Sequence, residues 1–293
     1  MSTNVSIGRG QARVAHGRIL QPWTLLGIAL LHVGAAVAIW YGASFGFSWE
    51  SIILTGIYTL LTGIGVSVAY HRMLTHQSFR TDSKLLEYAL VYWGGVAGQN
   101  AFTWVLNHRS HHEFGDTEHD PYSYYWPYHG GVRGFLWAHV IALVYTFGRP
   151  AKYASLPDND PYHDVILWEQ KWHTPIFLSG FLVPGLIAGW DGLLLAGFAR
   201  IVYVFHVTWS VNSVCHMWGR KAARGVIPGR NSPLVILLDV VGEGFHEAHH
   251  LNPSSAYLGW KWWHLDAGKW AIQFFELFGL VYDVHRPRAL RSG

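Results

Sequence analysis

The sequence predicts an all-α integral membrane protein: four transmembrane helices in two hairpins, with a cytosolic helical cap that holds a histidine-rich dinuclear metal site. Three observations predict it. Of 293 residues, 51% are hydrophobic and only 13% charged, outside the ordinary range of soluble domains. Four apolar stretches each have about the length that crosses ~30 Å of hydrocarbon. The chain also carries 19 histidines, and many of them fall into three tight clusters.

The elements follow in order. Residues 1–21 are polar and contain Arg9, Arg13 and Arg18. No small-residue cleavage site follows the first apolar run, so 23–43 is read as a retained helix. Residues 44–50 turn it back into a second span at 51–70. A turn near 190–192 joins a third span, 174–190, to a fourth, 191–215. Each hairpin returns to the side it left. Neither hairpin turn holds Lys or Arg, whereas the flanks and the long connections do, which predicts a multi-pass protein with cytosolic termini and cytosolic regions 71–173 and 216–293. Arg200, inside the fourth span, is expected to snorkel or to find a partner. Residues 85–106 are apolar but interrupted by Gly94, Gly95, Gly98, Gln99 and Asn100. A crossing there would send the second histidine cluster to the far side, so this stretch is read as an interfacial helix. No low-complexity linker divides the chain, and 1–293 is read as one domain.

Composition also excludes function classes. A single cysteine, Cys215, rules out an internal disulfide framework, cysteine-ligated zinc and an iron–sulfur cluster held by this chain. The net charge of +3 is scattered, with no basic stripe, so nucleic acid is not an expected partner.

The first cluster is His71 and His76, directly after the second span; the second is His108, His111 and His112; the third is His246, His249 and His250. Residues three and four apart share a helix face, so the second and third clusters each present three imidazoles together and one face can serve two ions. His71 and His76 are five apart, about 140° around an α-helix, and can serve different metals or straddle a helix end. Asn212 and His216 lie four apart at the end of the fourth span, where the histidine can ligate and the amide can hold a bound water. Nine imidazoles are too many for one zinc ion and suit two iron centres. Isolated histidines such as His32 are read as structural or solvated, His139 and His206 as interfacial, and His119 as a neighbour of the ligands.

These clusters resemble the HRxxxH, HRxHH and HxxHH boxes of the membrane fatty-acid desaturases, specifically the stearoyl-CoA-type acyl desaturase family. The resemblance extends to Asp116–Pro121 (DTEHDP), to TWSVNSVCH ending at His216 and to GEGFHEAHH ending at His250. It implies two iron ions held by His71, His76, His108, His111, His112, His216, His246, His249 and His250, with Asn212 acting through water. It implies an acyl channel flanked by Trp104 and Trp209, and Thr55 and Thr59 on one face of the second span are read as a stop for the chain's methyl end. Asn107 stands where the animal enzymes carry an acid, and Arg149 with Lys152 is placed to meet a phosphorylated carrier. The implied substrate is a fatty acyl chain linked to CoA, acyl carrier protein or lipid, with desaturation at the delta-nine position. An unactivated methylene has no acidic proton, so its dehydrogenation needs a one-electron oxidant, which iron with dioxygen supplies. The two electrons per turnover come from a separate donor such as ferredoxin or a b-type cytochrome with its reductase. A bacterial cytoplasmic membrane is the expected location.

Two alternatives stand beside this. Related diiron hydroxylases and acetylenases begin with the same hydrogen abstraction. His246-Glu247-Ala248-His249-His250 also satisfies HExxH, the zinc-protease pattern, although that reading leaves the other two boxes without a role.

Overall fold

The computed structural model describes residues 19–125, 130–146, 151–221 and 228–287. It is mostly helical, and its described strands form a single two-residue antiparallel pair, Ile19–Leu20 with Tyr145–Thr146.

Helix α1, Pro22–Phe45, starts with proline at its first position, where the missing N–H costs nothing. Ser48 caps α2, Trp49–Ile64, by accepting from Ser51 N–H. The helix continues without a break into a π-helical stretch, Gly65–Thr75, every residue of which is buried. Two shorter helices follow, α3 (Lys84–Val96) and α4 (Ala101–Phe114). The interfacial helix predicted over 85–106 is therefore two helices. Gly98 at φ +74° turns the chain between them, and an added Cβ there would meet the rings of Phe205 and Phe177 at about 3 Å. Asn100 then caps α4 through Thr103 N–H.

After the short α5, Gly131–His139, comes α6, His163–Asp191, which continues through a π-helical Gly192–Ala199 into α7, Arg200–Met217. The 55-residue run bends at Ala188–Gly189, where the backbone leaves helical angles. Past the bend the chain packs back on α6: the Phe181 and Phe198 rings lie 5.1 Å apart. The predicted turn at 190–192 thus falls two residues late. Helix α6 starts well before residue 174, because its early polar residues have partners. Glu169 is fully buried, accepting from Ala101 N–H at the start of α4 (2.8 Å) and from His173 Nδ1–H (2.6 Å).

Among the described residues three helical runs are long and apolar enough to cross a membrane: Pro22–Phe45, Trp49–Thr75 and His163–Met217. The turn after α1 is tied to the bend after α6, since Ser48 N–H donates to Asp191 Oδ2 at 2.7 Å. Arg200 is 1% exposed. Its Nε donates to Ala196 O at 2.6 Å and its guanidinium lies 5.8 Å from the Tyr58 ring centroid, so it is buried among helices instead of snorkelling.

Three short helices follow among the described residues: α8 (Pro233–Asp239), α9 (His246–Leu251) and α10 (Ala267–Leu277). They are bound to α2 by the buried pair Arg72–Asp266 (2.8 Å), whose aspartate also accepts from the backbone of Leu258, Gly259 and Lys269.

Candidate metal centre

The π-helical end of α2 decides where the first histidine pair points. His76 N–H reaches back five residues to His71 O (3.2 Å), and Thr75 Oγ donates to Tyr70 O. A π-turn holds more residues than an α-turn, so residues five apart return to one side, and the His71 and His76 rings lie 5.0 Å apart. The 140° offset of an ideal α-helix does not apply here.

Helices α4 and α9 supply the other two clusters and α7 supplies His216. The nine imidazoles sort into two groups that could each hold a metal ion: His71, His76, His108, His112 and His249 in one, His111, His216, His246 and His250 in the other, with ligand atoms in each within 4.8 Å of one another. Each HxxHH helix is shared between the groups. Helix α4 gives two rings to the first and one to the second; α9 does the reverse. In the first group His249 Nε2 is 2.9 Å from His71 Nε2 and 2.7 Å from His112 Nε2. In the second, His246 Nε2 is 2.9 Å from His216 Nε2 and 3.0 Å from His250 Nε2. The groups adjoin where the His112 and His250 rings are 4.5 Å apart.

Three carboxylates orient these rings from outside. Glu243 lies 2.7 Å from His71 Nδ1, Asp120 2.9 Å from His111 Nδ1 and Asp116 3.0 Å from His216 Nδ1. Each accepts an N–H and leaves the Nε2 lone pair facing inward, the arrangement found around metal-bound histidines. His119, which sequence reasoning placed as a neighbour of the ligands, lies edge-on to Phe114 with ring centroids 5.3 Å apart. The available signal was the run of acids directly beyond the second box and the Glu of GEGFH.

Burial, and then the neighbouring rings, hold His76, His108, His112, His246, His249 and His250 well below the usual imidazole range. For His111 burial acts in the same direction, but the Asp120 charge and hydrogen bond overcome it and raise the ring. Neutral imidazole is the metal-binding form. His76 Nε2 is buried with no hydrogen-bond partner among the described residues, and the bare Nε2 atoms of His71, His111 and His216 face other rings. A cation in each group would satisfy these lone pairs, so the donor set fits metal.

A mostly apolar cleft runs from this centre between α2, α4 and α7. Trp104 and His108 form one wall, Val207, Val211 and Asn212 another, and Thr59 lies farther along α2. Trp104 stacks on His108, ring centroids 6.0 Å apart, with its indole N–H buried and without a partner among the described residues. Thr55 is not on the cleft wall; its hydroxyl donates to Ser51 O. Trp209 is 3% exposed and packs with Phe205, His206 and His139, also away from the cleft. Asn107 donates to the Tyr122 hydroxyl at 2.8 Å. A second hollow reaches His76 and His112, with Lys152 at its rim in an ion pair with Glu113 (2.7 Å). Arg149 lies outside the described residues.

No family model matches the chain. Individual relatives do. It is 33% identical over 256 residues to the sn-1 stearoyl-lipid 9-desaturase of Anabaena variabilis, covering 87% of this chain and 90% of that protein. It is 31% identical over 264 residues to the sn-2 palmitoyl-lipid 9-desaturase of Nostoc sp. (strain 36), covering 87% of each. A third relative, the sn-1 stearoyl-lipid 9-desaturase of Synechocystis sp., is 33% identical over 82% of this chain and 74% of its own. The chain belongs to the fatty acid desaturase family. This desaturase is an oxidoreductase of lipid metabolism, and its histidine groups and apolar helices fit a metal-dependent enzyme of the membrane.

Proposed function

We propose that the protein is a diiron, dioxygen-dependent desaturase that introduces a delta-nine double bond into a fatty acyl chain carried by a membrane lipid. The division of nine histidines into adjoining groups of five and four, opening on an apolar cleft, carries this reading. One iron would be held by His71, His76, His108, His112 and His249, and the other by His111, His216, His246 and His250. Asn212, which lines the same cleft as His108, would act through water. With dioxygen, the iron pair supplies the one-electron oxidising power that an unactivated methylene requires.

The chain's own residues do the rest. Glu243, Asp120 and Asp116 fix ring tautomers, the helix packing excludes water, and the cleft aligns the acyl chain so that only certain carbons lie beside His108. Trp104 is the channel residue closest to the centre and Thr59 lies toward the methyl end. Trp209, Thr55 and Asn107 act on the channel at one remove, through packing and helix position, and Arg149 with Lys152 would meet a charged head group. A lipid-linked substrate is supported by the relatives, which are named stearoyl-lipid and palmitoyl-lipid 9-desaturases. The whole of 1–293 forms one domain of four spans, with the bend at Ala188–Gly189 dividing the last two, and the metal centre sits in a cytosolic cap at the surface of a bacterial cytoplasmic membrane. Electrons come from a separate donor such as ferredoxin or a b-type cytochrome with its reductase.

The zinc-protease reading is disfavoured. His246 and His250 already share their group with His111 and His216, which leaves no open position on a tetrahedral ion, and Glu247 is buried and accepts from Asn231. Hydroxylase or acetylenase outcomes use the same site. Metal analysis of purified protein together with gas chromatography of acyl chains from an expressing host tests the proposal. Two irons per chain and a new delta-nine monoene are expected; one zinc, or hydroxylated or acetylenic product, would overturn it.

A further inference from the structure

The apolar cleft is exposed at the end farthest from the metal centre. Two of its lining residues, Tyr203 on α7 and Leu238 on α8, are 41% and 39% exposed, whereas Val207 and Val211, nearer His216 on α7, are buried. Tyr203 stands 13 residues, or about 20 Å of helix, before His216. Thr59, on the α2 wall, precedes His71 by 12 residues. Both lie inside runs that are long and apolar enough to cross a membrane. The exposed residues beside the opening are apolar too: Leu60 follows Thr59, and Leu237 precedes Leu238. A rim of hydrocarbon on membrane-crossing helices faces lipid, not water.

Helix α8 closes the cleft beside this opening. Leu238, Asp239, Val240 and Val241 belong to the wall, and the Tyr203 hydroxyl donates to Leu238 O at 2.6 Å, bridging α7 and α8. The end of α8 is strained. Val240 sits at φ +50°, which a β-branched residue adopts only where its surroundings impose it, and its N–H reaches Ile236 O at 3.4 Å. Gly242, two residues on, is at φ +103°. Strain of this kind collects at ligand clamps and moving segments. The two carboxyl groups of the lining are tied toward the metal side: Glu243 accepts from Ser67 and from His71 Nδ1–H, and Asp239 accepts from Glu243 N–H at 2.7 Å. An anionic head group is disfavoured beside Glu243, so the occupant that suits the cleft is hydrocarbon whose head stays outside.

We propose that Thr59, Tyr203 and Leu238 frame a lateral mouth through which an acyl chain of a membrane glycerolipid slides from the bilayer into the cleft, with α8 as the movable wall. Lipid chains in a bilayer already lie along the spans with their methyl ends toward the midplane, the course that the cleft follows from His108 to Thr59. Sideways entry moves the chain from one apolar medium to another without passing through water. The inference rests on the lipid desaturase reading and adds the route by which substrate arrives.

The test uses the full chain in phosphatidylglycerol vesicles. Cys215 is buried, so a spin label attaches to Leu237→Cys. Dissolved oxygen, which concentrates in hydrocarbon, should relax that label more than a water-soluble nickel chelate does; the reverse order overturns the mouth. A phosphatidylglycerol with a diazirine midway along one chain should, on illumination, attach to Val207 or Val211 inside the cleft. Leu238→Trp should suppress that labelling and leave the labelling of α1 as it was; unchanged labelling inside the cleft overturns the inference. Tyr203→Phe, which removes the bond to Leu238 O, should sharpen the spin-label spectrum and increase labelling inside the cleft; no change in either overturns the role of α8. In iron-loaded protein supplied with reductant, Leu238→Trp should lower kcat/KM by about tenfold and kcat by less, at wild-type iron content. An equal fall in both overturns the role in entry. A wild-type protein that takes the label inside the cleft but forms no alkene keeps the mouth and ends the desaturase reading.

Discussion

Replacing Asp120 by asparagine separates the two histidine groups experimentally. Asp120 is 5% exposed and accepts three N–H bonds: Oδ2 takes His111 Nδ1–H (2.9 Å) and Asp116 N–H (3.0 Å), and Oδ1 takes Tyr122 N–H (3.0 Å). An asparagine has one oxygen for three donors. Its best placement puts that oxygen at the Oδ2 position, which keeps His111 oriented and leaves Tyr122 N–H facing an amide NH2, at a cost of about 1–3 kcal/mol. The Asp120 charge that raises His111 against its burial is also gone, so the ring becomes a poorer donor to a cation. Losing such an outer partner weakens metal binding by about 10–100-fold, which corresponds to roughly 1.4–2.7 kcal/mol. The effect should be confined to the group that contains His111. Iron release to a ferrous chelator, followed by absorbance, should change from two slow equivalents to one fast and one slow. Equal acceleration of both, or wild-type release of both, would refute the reasoning.

Three further outcomes are expected. Gly242 sits at φ +103°, and an added Cβ would lie 2.6 Å from Asp266 Oδ1, so Gly242→Ala should displace the carboxylate that binds Arg72 and destabilise the protein by about 2–4 kcal/mol, seen as a clearly lower thermal midpoint in detergent. Thr59→Phe fills the far part of the cleft and should shift products toward shorter acyl chains by gas chromatography, whereas Thr55→Ala, off the cleft wall, should shift them less. Burial and then Glu243 raise Asp239 to about 8. A carboxyl raised on folding contributes stability below its unfolded pKa, and that contribution is lost as pH rises through the folded value. Wild-type stability relative to Asp239→Asn should therefore fall between about pH 4 and pH 8 and level off above; thermal melts across that range check it.

What could be read from the sequence depended on how local each signal was. The gathering of the three histidine boxes with His216 was legible because spacing on one helix face is a local property, and the sharing of α4 and α9 between two groups follows from it. The facing of His71 and His76 was not legible, since it depends on π-winding that 100° periodicity cannot express. The break between α3 and α4 was announced by Gly98, Gln99 and Asn100 but read as irregularity inside one helix. Arg200 and Glu169 looked misplaced because their partners, Tyr58 on α2 and the start of α4, are set by tertiary packing. The same holds for Glu243, more than 170 residues from His71, and for His32, His139 and His206, which are unremarkable singly and form a hydrogen-bonded chain only when α1, α5 and α7 come together.

The π-helical Gly65–Thr75 gives the number of residues between His71 and His76 a meaning independent of their identity. In an α-helix, removing one residue rotates everything downstream by about 100°; here it would also convert the wide turn into a regular one. Both histidines would survive such a deletion, yet the register joining the centre to Arg72, and through it to Asp266 and the C-terminal helices, would be lost. Segment length is thus a coordinate of the metal centre in its own right, and relatives that share the function would be recognised by the count across this turn as much as by the letters within it.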